Sequence, residues 1–288
     1  MSGNNRNLVI LGAILLVLAL GYWLTTRSRP ALDPTGGWED VVEGTLSTDE
    51  IYGLEVYRGN ARDEGFALAR RGDEWVMPSR FDAAANMNRL RTLLGNLEQL
   101  EGEYRSDDPS VLGDYGLADS SAVHLILKDE AGDEVLHLLL GKTSGAGCFL
   151  RREGSDKVLL GSRNLLSDFG IWGEDNRNPV ASNWLDLEVF TPDRATVSGI
   201  VLQPAEGRTI ELEKEFSVAE GDTTAPDPNA YEWKVLRPES FTALKTRADG
   251  ILTTLSNLRA RDVAPPPADP ADYGLGEEAD RVEVIQDD

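Results

Sequence analysis

Residues 75–117, WVMPSRFDAAANMNRLRTLLGNLEQLEGEYRSDDPSVLGDYGL, recur in outline at residues 233–275, WKVLRPESFTALKTRADGILTTLSNLRARDVAPPPADPADYGL. Trp75 and Trp233 are 158 residues apart, and so are Tyr115-Gly116-Leu117 and Tyr273-Gly274-Leu275. Between these markers each copy carries an apolar stripe, Met87, Leu90, Leu94 and Leu97 in the first and Ala248, Ile251, Leu255 and Leu258 in the second. The spacing 3, 4, 3 is that of one buried helix face. Both stripes end in Thr-x-Leu-x-Asn-Leu, at Thr92–Leu97 and Thr253–Leu258. The stripes are offset by 161 rather than 158, which a three-residue insertion before the helix, undone after it, explains. Self-similarity of this kind predicts a duplicated structural unit.

Working outward, alternating stretches predict strands at 53–57, 65–70 and through Trp75 to Pro78 in the first copy, and at 199–203, 209–213 and 231–236 in the second. Proline closes the last of these in each copy, at Pro78 and Pro238, because it cannot donate to a ladder. Asp82 is the expected N-cap of the first helix. After Tyr115-Gly116-Leu117 the chain reads as a meander, with strands at 122–128, 134–140, 147–152 and 157–160 and a short helix at 164–169. The second copy retains only the strand at 281–285, which leaves an unpaired edge. The expected fold is α+β, an N-terminal transmembrane helix followed by a duplicated module of antiparallel strands with one packed helix, the second copy incomplete. The expected organisation is an anchor at 1–27, a linker at 28–47, a first module at 48–180 and a partial second module at 181–288.

Leu8–Leu24, LVILGAILLVLALGYWL, is seventeen uncharged residues. As a helix it would span roughly 26 Å, near the lower limit for a bilayer. Tyr22 and Trp23 suit the headgroup layer and Arg27 and Arg29 can snorkel, so the segment reads as an uncleaved single-pass anchor. Residues 1–30 carry three arginines and no acid. The net charge of the whole chain is −22, so the remainder is −25. Such a body repels nucleic-acid phosphates, which excludes a nucleic-acid function. Cys148 is the one cysteine, so no intramolecular disulfide forms, and its apolar surroundings predict a buried, inert thiol.

No catalytic, cofactor-binding or metal site stands out. Leu140-Gly141-Lys142-Thr143-Ser144 has the ending of a phosphate loop, but Leu136 stands where that loop needs glycine, and the preceding residues are strand. His124 and His137 are expected to face each other across a hairpin centred near Glu130-Ala131, a structural pair with no third His or Cys to complete a zinc site. The acidic runs Asp107-Asp108, Glu174-Asp175 and Glu220-Gly221-Asp222 lack calcium-loop spacing. No Gly-x-Ser-x-Gly elbow is present. The repeated Trp75, Tyr115, Trp233 and Tyr273 read first as core anchors and second as a ligand or partner surface for glycan or peptide.

The anchor, Trp75-x-x-Pro78, the leucine-striped helix, Tyr115-Gly116-Leu117, Gly141-Lys142 and the early repetition together resemble the bacterial family called domain of unknown function 4340. The resemblance implies a bacterial inner-membrane, single-pass envelope protein with an extracytoplasmic body, associated with integral membrane ABC-type transporter subunits, including those resembling gliding-motility exporters. It implies no chemistry and no cofactor. The expectation is a non-catalytic accessory or scaffold acting through protein contacts. The alternatives are an extracytoplasmic glycan- or peptide-binding module and an unrecognised hydrolase.

Overall fold

The computed structural model describes residues 37–172, 177–216, 230–266 and 269–287, apart from 43, 45, 47 and 48. The expected anchor Leu8–Leu24 and the acidic runs at 174–175 and 220–222 lie outside the described residues. Among the described residues no helix is long and apolar enough to cross a membrane.

The described residues are of the α+β class, antiparallel sheets with two α-helices. The first sheet contains β1 (Glu39–Asp40), β2 (Gly53–Arg58), β3 (Ala61–Arg71), β4 (Glu74–Met77), β5 (Ala83–Ala84), β6 (Glu101–Ser106), β7 (Val123–Lys128), β8 (Glu134–Ser144), β9 (Gly147–Arg152) and β10 (Val158–Gly161). Helix α1 (Met87–Glu98) lies between β5 and β6 in the chain. The strand order is β1-β6-β10-β9-β8-β7-β2-β3-β4-β5. The second sheet contains β11 (Val197–Gln203), β12 (Ile210–Phe216), β13 (Tyr231–Arg237), β14 (Phe241–Ala243) and β15 (Arg281–Gln286), with α2 (Lys245–Ser256) after β14. Its order, β15-β11-β12-β13-β14, is the order β7-β2-β3-β4-β5 of the first sheet. Registers agree as well: Arg70 faces Trp75 on the adjacent strand, and Lys214 faces Trp233.

Several expectations change. The linker expected through residue 47 gives way to folded chain by β1, because Val41 and Val42 are buried and Leu46 packs on the same core. Asn86 rather than Asp82 caps α1, its Oδ1 accepting from the Arg89 N–H at 3.1 Å. Phe81 and Asp82 instead take left-handed backbone (φ 58° and 55°) ahead of β5. The buried face of α1 is Leu90, Leu93, Leu94 and Leu97, with Met87 packed at its margin. In α2 the buried residues are Ala248 and Leu252, Ile251 packs beside them, and Leu258 lies past the helix end and exposed. Strand β6 escaped the sequence reading because EGEYRS is too polar to signal a strand; it is held between β1 and β10.

Candidate functional site

The four repeated aromatics do not form one surface. Trp75 is buried in the large core of the first sheet and Trp233 in the separate core beneath α2. Trp233 donates its Nε1–H to Asp249 Oδ1 at 3.0 Å, and the Tyr231 hydroxyl donates to the same oxygen at 3.0 Å. Neither tryptophan is available to a ligand.

The two Tyr-Gly-Leu copies have the same backbone and opposite surroundings. Gly116 and Gly274 both sit at φ 71°, the left-handed conformation that glycine adopts without a Cβ penalty. Asp108 and Asp269 cap the preceding turns in the same way, accepting from the N–H two residues on. In the first copy Leu117 is fully buried with Leu139 and Val158, and the Tyr115 ring meets Phe149 edge-on at 4.6 Å. Buried Arg151 donates from Nε to the Leu117 carbonyl at 3.0 Å. In the second copy Leu275 is 68 % exposed and Tyr273 48 %, its hydroxyl donating to the Pro265 carbonyl.

A second contrast lies on the helix-side face. Val56 pairs with Phe66 and Leu125 across β3-β2-β7, and all three are buried, with Phe66 stacked 5.5 Å from Trp184. The equivalent row in the second sheet is Leu202, pairing with Ile210 and Val282. Ile210 is 38 % exposed and Val282 49 %. Period-2 alternation signals that these residues share a face, but not that nothing in the described chain covers them.

His124 and His137 do meet, diagonally rather than directly opposite, because the register pairs His124 with Leu139 and His137 with Ile126. Their Nδ1 and Nε2 atoms are 3.0 Å apart. His124 Nε2 faces the Asp119 carbonyl at 3.0 Å, which can only accept, so Nε2 carries hydrogen and Nδ1 of the neutral ring accepts from His137. Tyr57 stacks on His124 at 4.7 Å, and Glu134 lies 3.1 Å from His137 Nδ1. Burial pushes His124 below the ordinary histidine range, with the neighbouring His137 adding to the effect. Among the described residues no cluster of three or more His, Cys, Asp and Glu could hold a metal ion. Gly141-Lys142 lies inside β8 at a register shift, and β9 follows rather than a helix, so no phosphate cradle forms. Cys148 is buried, with its thiol pushed up to about 11 by burial.

A polar cleft of about 720 Å³ lies beside α1, lined by Asn96, Gln99, Glu101, Arg163, Asn164 and Asp168 among others. Arg163 donates from Nη1 to Asn96 Oδ1 at 2.5 Å. Burial raises the Asp168 carboxyl, against the opposing pull of its hydrogen bond with Asn96 and the charges of Arg89 and Arg163. Sequence reading missed this group, because amides on the outer side of a helix and a loop arginine carry no spacing signal.

No curated protein and no solved structure matches the chain. The model of one family, Domain of unknown function (DUF4340), matches residues 75–278, a span that runs from the first repeated tryptophan to just past the second Tyr-Gly-Leu, and the chain therefore belongs to that family.

Proposed function

We propose that this chain is a membrane-tethered, non-catalytic accessory or scaffold subunit of an ABC-type transport or envelope assembly, acting through protein–protein contact. On this reading the two sheets are copies of one module, the first complete, its core joined by Val41, Val42, Trp184 and Leu185 from outside the expected 48–180, and the second partial. Leu8–Leu24 holds both in the bacterial inner membrane, with the body outside the cytoplasm. The observation that supports it most is the row Leu202, Ile210 and Val282, whose counterpart in the first sheet is buried in the core that also holds Phe169 and Trp184. An apolar row at a sheet face, with Leu202 packed on the core and Ile210 and Val282 exposed, is the composition of a contact surface.

The test is co-purification of the full chain from membranes in mild detergent. The expected result is recovery with integral membrane subunits, reduced at least fivefold by Ile210→Glu or Val282→Glu. Recovery only as an isolated monomer would overturn the reading. A second reading, an extracytoplasmic binding module for glycan or peptide, draws support from the amide-lined cleft around Asp168. Planar amides, an arginine and a carboxyl suit a polar, hydroxyl- or amide-rich ligand. Calorimetric titration with envelope glycan fragments, compared between the native chain and Asn96→Leu, tests it; identical heats would remove it.

A further inference from the structure

We propose that the outer edge of β15 is a strand-acceptor site. It takes an antiparallel strand with alternating apolar side chains from a partner polypeptide, and the strands that follow close over Tyr273 and Leu275. This rests on the accessory reading above and specifies how the partner is held.

The first sheet supplies the template for the occupant. β15 pairs with β11 as β7 pairs with β2, by antiparallel registers that set Val282 and Val284 against Leu202 and Ile200, as Leu125 and Leu127 are set against Val56 and Leu54. On its other side β7 is paired with β8 from Val123↔Leu140 to Lys128↔Glu134. Strands β8, β9 and β10 then bring Leu139, Phe149 and Val158 over Tyr115 and Leu117. At β15 no described strand occupies the corresponding edge. The Tyr-Gly-Leu turn that precedes it in the chain keeps the φ of its counterpart, yet Leu275 is exposed where Leu117 is fully buried. The strand pairing and the turn backbone that accompany β8–β10 in the first sheet are therefore both present in the second. An added strand gains affinity from main-chain hydrogen bonds, and alternate side chains set its specificity. Arg281 and Glu283 on β15 oppose indiscriminate pairing, the usual protection of an exposed edge.

The probe is a 19-residue peptide with the sequence of residues 134–152 and serine in place of Cys148, titrated into the full chain in detergent. The first sheet already holds its own copy of this segment, so binding reports on the second. Saturating peptide is expected to slow amide hydrogen exchange across residues 281–286 at least tenfold and to leave 123–128 unchanged. Leu275→Ser and Tyr273→Ser are expected to weaken binding at least tenfold; both side chains are exposed, so the variants fold. Binding no tighter than a scrambled peptide, binding without protection of 281–286, or indifference to both substitutions would each overturn the proposal. Membrane co-purification separates the two readings. If partners stay bound despite peptide and Leu275→Ser, the accessory reading stands and strand addition falls. If the peptide binds as expected but no partner co-purifies, strand addition stands and the accessory reading falls.

Discussion

Leu117 and Leu275 occupy the same place in Tyr-Gly-Leu, and their difference in exposure sets what each is worth. Leu117 makes its contacts in a dry cluster with Ala122, Leu139 and Val158. Truncating it to alanine removes buried methyls and leaves a cavity, a cost of about 2–5 kcal/mol. Leu275→Ala removes atoms already in water, so its effect stays within about 0.5 kcal/mol. Urea unfolding midpoints at constant slope measure both, and equal losses would mean that the exposed copy is covered in solution. His124 gives a pH prediction. Its pKa is lowered in the folded state by burial, while the unfolded ring titrates near the ordinary value of about 6.5. Between those values the unfolded chain binds more protons, so the stabilisation is present above about pH 6.5 and is lost as pH falls below it. The charged and titratable groups around the ring are His137, Glu153, Asp119 and the stacked Tyr57, with Arg62 over the tyrosine. The native chain is expected to lose more stability between pH 7.5 and 5.5 than His124→Gln, read from paired urea melts; parallel curves would count against the assignment.

At the scale of elements, the two helices begin differently. Asn86 caps α1 with its side chain, whereas Leu244, exposed and extended, stands at the N-cap of α2 with no side-chain hydrogen bond. Asn86→Ala is expected to cost about 1 kcal/mol, and Leu244→Asn to gain about the same, because it gives an orphan N–H a partner and removes no buried surface. A fall in thermal midpoint for Leu244→Asn would show that the leucine packs against something beyond the described residues. These helices were legible in sequence, because a 3, 4, 3 stripe is a property of one segment. Their caps were not: the choice between Asp82 and Asn86 depends on whether β5 intervenes, and Ala83–Ala84 carries almost no strand signal of its own. The meander after Tyr115-Gly116-Leu117 was legible to within a few residues, because Val123, Leu125 and Leu127 alternate cleanly. β6 was not, because its place is fixed by pairing with β1 and β10 rather than by its own pattern. For the same reason the apolar row of the second sheet escaped the sequence, although the unpaired edge at 281–285 did not. Leu202, Ile210 and Val282 come from three separate strands, and their exposure follows from what does not pack on them.

At the scale of the whole molecule, the two sheets rest on very unequal cores. Among the described residues thirty buried side chains form the cluster of the first sheet and seven that of the second. A seven-residue core offers little apolar burial to set against chain entropy, so the second sheet depends on its connections to the first. These are specific: Ala260 N–H donates to the Leu187 carbonyl at 2.8 Å, Glu188 and Arg259 form a β-bridge and an ion pair, and Val263 packs on the larger core. Arg80 reaches Asp262 at 3.1 Å, an exposed pair worth little alone. The second sheet is therefore expected to open sub-globally below the free energy of full unfolding. Native-state hydrogen exchange checks this directly. Amides of β7 should exchange only through global unfolding, and those of β11, β12 and β15 at least 100-fold faster, a gap of about 2.7 kcal/mol. Equal protection with equal urea dependence would mean one cooperative unit and would refute the ranking. An occupant of the β15 edge changes the same observable, since binding only the closed form stabilises it by RT ln(1 + [L]/Kd). Protection of the second sheet should thus rise with partner concentration while that of β7 stays fixed, which ties the unequal cores to the contact surface they leave open.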